Sequence, residues 1–144
     1  MAAAAERIAA VLGGRPVLHR TVRTWIDLEQ VVQEGLPKRS LQLVARRAVE
    51  PGGSASELVY SIVPPATFKR RTRLSTSESE RTERLARVVA LAESVWDDEQ
   101  EARAFLNRPH PLLDGETPLK VSRTELGARR VERVLHAVEH GLPL

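Results

Sequence analysis

The segment STSESERTERLARVVALAESVW, residues 75–96, contains the strongest helix signal in the sequence. Either of two overlapping capping boxes, which begin at Ser75 and Ser77, can start a helix that we predict over about residues 77–96. Apolar side chains recur at helical spacing and form one face of it: Leu85, Val88, Val89, Ala92 and Trp96. On the other face, charged side chains four residues apart should pair: Glu80 with Arg84, and Glu83 with Arg87.

Helix signals also flank this segment on both sides. We predict helices over about residues 1–14, 22–34, 40–50, 55–62, 66–73 and 98–107, and a final helical region over 117–141. The first helix is expected to be frayed or mobile. Trp25 should belong to the buried stripe of the second helix, and Ser40 should cap the third. The apolar fragment 58–63 could be a strand, but its helical neighbours favour a helix, so the predicted fold class is all-α.

The composition excludes several classes of protein. The chain has 144 residues, enough for one domain or two very small ones, and it has no cysteine, which excludes disulfides and thiolate metal sites. No apolar stretch approaches the length of a membrane span, and the first residues lack the pattern of a secretory signal. We therefore expect a cytoplasmic protein with no membrane contact.

The charge is distributed unevenly along the chain. Residues 1–73 contain 12 basic and 6 acidic residues, whereas residues 74–144 contain 10 basic and 13 acidic residues. The basic half could face a polyanion such as nucleic acid, and the alternative is a solvated basic surface.

Residues 57–73 have the outline of a helix-turn-helix, in which a short helix and a tight turn precede a second, basic helix. Such a helix contacts phosphates and guanine edges through cationic and hydroxyl side chains. The candidate DNA-binding residues are Thr67, Lys69, Arg70, Arg71 and Arg73. The alternative is a structural unit of three packed helices with a solvated basic face.

No pattern of residues typical of an enzyme is present. The sequence has no Gly-rich phosphate loop, nucleophile elbow or carboxylate pair, so we expect no enzymatic activity and no cofactor. His136 and His140 share a helical face, but a catalytic metal site needs a third ligand and a general base, so we expect no metal. The final helix has a basic face formed by Arg129, Arg130, Arg133 and His136, which could dock on an acidic partner surface or be simply solvated.

Several segments together resemble the MbcA/ParS/Xre antitoxins over about residues 27–144. The resemblance is most specific in the distal part, which a generic helix-turn-helix protein would have no reason to contain. One departure is that Pro65 and Ala66 stand where family members often have two arginines, which weakens the case for base readout. The matching segments are Gly35-Leu36-Pro37, Thr67-Phe68 with Arg70-Arg71, Leu74-Ser75, Phe105-Leu106-Asn107-Arg108-Pro109-His110-Pro111, Asp114-Gly115-Glu116-Thr117-Pro118 and Thr124-Glu125-Leu126-Gly127.

The resemblance implies a type II antitoxin with an Xre-like helix-turn-helix region (27–76) and a helical toxin-binding domain (77–144) that contains the linking helix 77–96. Residues 1–26 lie outside the resemblance and are expected to form an N-terminal extension. The implied partner is a RES-domain toxin that degrades NAD or uses it to ADP-ribosylate a target. Such antitoxins are typically homodimers, and many bind their own operator DNA. The alternative is a helix-turn-helix repressor without a toxin partner.

The candidate toxin-binding residues lie in the distal half. The tail 140–144 could plug the active site of the toxin, or the helix face alone could dock. The candidates are Thr117, Leu119, Arg129, Arg130, Arg133, His136, His140, Leu142 and Leu144.

Overall fold

The computed structural model describes residues 3–141, and this part of the chain is built from helices joined by short turns. Its only β-type pairing is an isolated antiparallel bridge between Pro37 and Arg73. The all-α prediction is therefore confirmed. The helices are α1 (Ala4–Val11), α2 (Arg15–Leu18), α3 (Trp25–Glu34), α4 (Lys38–Ala48), α5 (Ala55–Ile62), α6 (Pro65–Arg70), α7 (Thr76–Trp96), α8 (Glu99–Asn107), a 3-10 helix (Pro111–Leu113), α9 (Pro118–Val121) and α10 (Glu125–Glu139).

The long helix α7 is the centre of the fold. It starts at the first of the two predicted capping boxes: the Glu78 backbone N–H donates to Ser75 Oγ over 3.1 Å, and the Ser75 N–H donates to Glu78 Oε1 over 2.8 Å. Of its predicted apolar face, Leu85, Val88, Val89 and Ala92 are buried and Trp96 is half-buried. Helices α1, α3, α4 and α5 pack against α7, and so do α8 and α10. One hydrophobic core therefore runs through both halves of the chain.

Helix α1 is an integral part of this core, so the expectation of a frayed first helix is wrong for its described residues. Ile8 and Leu12 are buried, and α1 packs against α7. Ser40 was expected to cap the third helix, but α4 already begins at Lys38. The Ser40 side chain is instead fully buried, and its Oγ donates to the Leu12 carbonyl over 2.8 Å. This hydrogen bond ties the end of α1 to the first turn of α4.

Trp25 is not part of the buried stripe of α3, which corrects another prediction. A capping box formed by Thr24 and Asp27 starts the helix at Trp25, later than predicted. At the first helical position the Trp25 side chain lies beyond the packed face and is 58% exposed. Leu28 and Val31 are buried as predicted.

The final helical region is divided into two helices. Thr117 caps α9, with Pro118 at its first position, as predicted. A second cap at Thr124 then starts α10. Gly127 lets the two helices approach closely, because a Cβ at this position would lie 1.8 Å from the Val121 carbonyl oxygen. Asp98 is the residue that caps α8.

None of the helices between residues 3 and 141 combines the length and the apolar character that a membrane span requires.

Candidate functional site

Helices α5 and α6 form the predicted helix-turn-helix unit. The Ser54 side chain caps α5 by accepting a hydrogen bond from the Glu57 N–H over 3.1 Å. Phe68 anchors α6: its ring is buried and lies edge-on to Tyr60, with 6.2 Å between ring centroids. The ammonium group of Lys38 lies 5.0 Å above the Phe68 ring and donates to the Phe68 carbonyl over 3.1 Å. Helix α6 is therefore held firmly although it has only six residues.

Helix α6 was predicted to end at about Arg73, but it ends at Arg70. The candidate DNA-binding residues therefore fall into two groups. Lys69 and Arg70 lie in its last turn, are exposed, and form no ion pair with the described residues. Thr67 is half-buried. Arg71 forms an ion pair with Glu78 at the start of α7, and Arg73 donates to the Gly35 carbonyl over 2.8 Å.

The early end of α6 follows from backbone pairing beyond it. The Leu74 N–H donates to the Leu36 carbonyl over 2.8 Å, and Arg73 lies opposite Pro37 in the isolated bridge. This pairing satisfies backbone N–H and C=O groups that would form helical hydrogen bonds if α6 were longer. The side chains of Arg71 and Arg73 consequently bind the protein itself. Arg46, which was not among the candidate DNA-binding residues, is exposed and lines a cavity together with Tyr60 and Phe68.

Helix α10 presents a second basic surface, which we call the α10 face. It comprises Arg129, Arg133, His136 and His140, which recur at helical spacing and are all exposed. Arg129 lies 3.7 Å from Glu125, a loose exposed pair. Arg130, which was predicted on the same face, points about 100° away around the helix. Its guanidinium binds Asp114 in the turn before α9, at 3.1 Å.

Two other candidate toxin-binding residues, Thr117 and Leu119, take part in the fold itself. Thr117 is half-buried and accepts the Lys120 N–H over 3.2 Å, so its hydroxyl caps α9. Leu119 is half-buried against the core. Leu142 and Leu144 lie outside the described residues. Leu126 was not among the candidate toxin-binding residues. Its side chain is 75% exposed and lies one turn from Arg129.

A charged network fixes α10 against α7. Arg84 Nε donates to Glu125 Oε1 over 3.2 Å, and Arg87 Nη2 donates to both oxygens of Glu125 at 2.9 and 3.0 Å. Arg87 Nε also lies 3.0 Å from a carboxylate oxygen of Glu132. The predicted partner of Arg84 on its own helix was Glu80, and the approach of α10 offers Glu125 instead. The network orients the exposed α10 face with respect to the rest of the molecule.

Two carboxyl groups at or near this network have pKa values that are shifted in opposite directions. Burial raises the pKa of Glu83, with the Arg87 guanidinium opposing this effect. For Glu125, burial alone would raise the pKa, but hydrogen bonds and charge from Arg87 and Arg84 outweigh burial, so its pKa lies below the usual range. The charged form of Glu125 is therefore stabilised, whereas the charged form of Glu83 is destabilised.

Two family models match this chain in succession. Residues 27–87 match the antitoxin Xre-like helix-turn-helix domain, and residues 91–141 match the antitoxin Xre/MbcA/ParS C-terminal toxin-binding domain. The chain belongs to the Xre/MbcA/ParS antitoxin family. The two matched regions meet inside α7, so the halves of this antitoxin share one continuous helix.

A curated relative of the antitoxin is named Antitoxin Xre and comes from Pseudomonas putida. It is 32% identical over 87 residues, which are 58% of this chain and 55% of the relative. The match thus spans about half the length of that protein.

Proposed function

We propose that this antitoxin binds and inhibits a cognate toxin, and that it acts by binding and not by catalysis. The observation that carries the proposal is the match of residues 91–141 to a toxin-binding domain, in which α10 presents an exposed basic face. We further propose that the toxin is a RES-domain protein that consumes NAD or transfers ADP-ribose from it, as the resemblance implies. The domain division at residues 26 and 76 is also a proposal.

The α10 face is the proposed docking surface. Its cations Arg129 and Arg133 are suited to acidic side chains at the rim of a toxin pocket, and arginine is a common anchor of interfaces. Leu126 adds exposed apolar area beside them, and the network through Arg87 holds the helix in place before binding. Preorganisation of this kind lowers the entropic cost of association.

The contribution of the tail is a separate proposal. Leu142 and Leu144 belong to the tail 140–144, and we propose that this tail enters the active site of the toxin. Truncation before Leu142 distinguishes this arrangement from docking of the α10 face alone. If the tail enters the pocket, the truncated antitoxin should bind and inhibit more weakly.

Operator binding is a second proposed function, and it rests on the helix-turn-helix match over residues 27–87. The exposed pair Lys69 and Arg70 at the end of α6 is the proposed phosphate contact, with Thr67 nearer the core. Arg71 and Arg73 support the recognition helix through their contacts with Glu78 and Gly35. Homodimer formation is proposed from the family resemblance, and a cytoplasmic location from the composition.

Co-expression with the protein encoded by the adjacent gene tests the main proposal. We expect the two proteins to co-elute in size-exclusion chromatography, and NAD consumption by the partner to be suppressed in the complex. A partner that elutes separately and keeps its full NAD-consuming activity would contradict toxin inhibition. If the antitoxin chain then still bound the upstream operator fragment, the repressor function would stand alone.

A further inference from the structure

Three potential metal ligands meet at the C-terminal end of α10. Glu139 is the last residue of the helix, His140 follows it, and His136 lies one turn earlier. Glu139 Oε1 lies 3.6 Å from His136 Nδ1 and 3.7 Å from His140 Nε2. One ligand atom from each of the three side chains lies within 4.8 Å of those from the other two. The imidazole rings are nearly parallel, at an interplanar angle of 20°.

These separations are close to those of a zinc site. With metal–ligand bonds of about 2.1 Å in tetrahedral geometry, neighbouring ligand atoms lie roughly 3.4 Å apart. Both distances to the Glu139 carboxylate are within a few tenths of an ångström of that value. All three side chains are exposed, so rotation of the imidazoles can shorten the separation between the ligand atoms of His136 and His140 without disturbing the core.

We propose that His136, Glu139 and His140 bind a divalent transition-metal cation of the Zn²⁺ type. Two imidazoles and one carboxylate favour Zn²⁺, Ni²⁺ or Cu²⁺ over Mg²⁺ and Ca²⁺, which prefer oxygen ligands. The C-terminal end of a helix carries partial negative charge, which favours a cation at this end of α10. A water molecule or a partner side chain completes the coordination.

The site departs from the expectation that the sequence contains no metal site. That expectation rested on catalysis, for which the two histidines need a third ligand and a general base. Glu139 is three residues after His136 and directly before His140, so the helix brings its carboxylate to the same edge as both imidazoles. Within residues 3–141 no further histidine or acidic side chain joins the cluster to serve as a general base, so we assign it binding and not catalysis.

The test is titration of the tag-free full chain with Zn²⁺ in isothermal titration calorimetry. We expect one Zn²⁺ per chain and no measurable heat with Mg²⁺. The double variant His136→Ala/His140→Ala and the single variant Glu139→Gln should each bind Zn²⁺ at least about tenfold more weakly, since even loss of an outer-shell partner typically costs 10- to 100-fold. Helical content measured by circular dichroism should be unchanged in both.

The matched control is His19→Asn. His19 is exposed and has φ of 58°, a left-handed conformation that asparagine tolerates. This control should bind Zn²⁺ like the wild type, and Co²⁺ substitution should give a visible absorption band that is lost only in the α10 variants. Equal loss in the control, or unchanged binding in the α10 variants, would overturn the proposal. Because no toxin is present, the result is independent of the proposed inhibition.

Discussion

Two helices of this chain contain or border clusters of basic residues, and the clusters differ in how firmly groups of the protein itself hold their cations. The segment around α6 contains four cations from Lys69 to Arg73, and two of them bind Glu78 and the Gly35 carbonyl. On the exposed α10 face, Arg129 forms only a loose pair with Glu125, and Arg133 forms no ion pair with the described residues. The difference arises because α6 ends after six residues and the chain beyond it pairs with the segment before α4. A basic run in the sequence therefore does not show which of its cations already have partners within the protein.

The largest expected effect concerns the buried side of α10. Leu135 is fully buried, so Leu135→Ala should lower the free energy of unfolding by about 2–5 kcal/mol. Leu126→Ala on the same helix removes a side chain that is 75% exposed and should change stability by less than about 0.5 kcal/mol. Urea denaturation of both variants measures this contrast. Similar losses in the two variants would show that α10 does not pack on α7 as described.

The ionic contact between α7 and α10 should have the next largest effect. Arg87→Ala leaves Glu125 and Glu132 without their shared cation, and we expect a loss of about 1–3 kcal/mol in urea denaturation. The control is Lys120→Ala, whose pair with Glu116 is exposed on both sides and should be worth about 0–0.5 kcal/mol. If both variants lose the same small amount, the network does not fix α10.

Operator affinity separates the two kinds of cation around α6. If Lys69 and Arg70 bind phosphates, Lys69→Ala/Arg70→Ala should reduce the slope of log affinity against log salt by about 0.9 for each phosphate that is no longer neutralised. Arg71→Ala should leave the slope unchanged and instead lower stability, because Arg71 binds Glu78. A fluorescence-anisotropy titration at several salt concentrations measures the slopes. A reduced slope for Arg71→Ala would mean that Arg71 turns outward to DNA.

The smallest expected effect is the pH response of Glu83. Burial raises its pKa, so the folded state holds this proton more tightly than the unfolded state, and its contribution to stability falls as pH rises through the window above the usual pKa of glutamate. Glu83→Gln should remove this decline. We expect the stability of the variant relative to the wild type to increase between acidic and neutral pH. A difference that stays constant with pH would contradict a raised pKa.

The sequence predicted the helices well where the signals were local. The capping boxes and caps at Ser75, Asp98 and Thr117 start helices at or next to the predicted positions, because these hydrogen bonds involve residues only two or three apart. The predicted partner of Arg84, which was Glu80, was wrong because the actual partner is distant in the sequence. Its partner Glu125 is 41 residues away and is brought close only by the packing of α10.

In the candidate sites, too, the sequence did not reveal contacts that depend on tertiary packing. The sequence identified the basic residues of α6 and α10, but it could not show that Arg71, Arg73 and Arg130 bind elsewhere in the protein. It also placed Trp25 in the core, since helical spacing alone does not reveal that the helix begins at that residue. Whether a charged side chain is exposed depends on tertiary contacts that periodicity does not encode.

The affinity of the purified toxin for α10 variants, measured by isothermal titration calorimetry, tests the role of the α10 face most directly. If the α10 face docks on the toxin, Arg129→Ala/Arg133→Ala should weaken binding at least about 30-fold, which corresponds to about 2 kcal/mol and is typical of an interface anchor. Arg23→Ala/Arg39→Ala removes the same charge from exposed positions outside residues 91–141 and should bind like the wild type. Wild-type affinity in the Arg129→Ala/Arg133→Ala variant, or equal weakening in both, would contradict the central role of the α10 face.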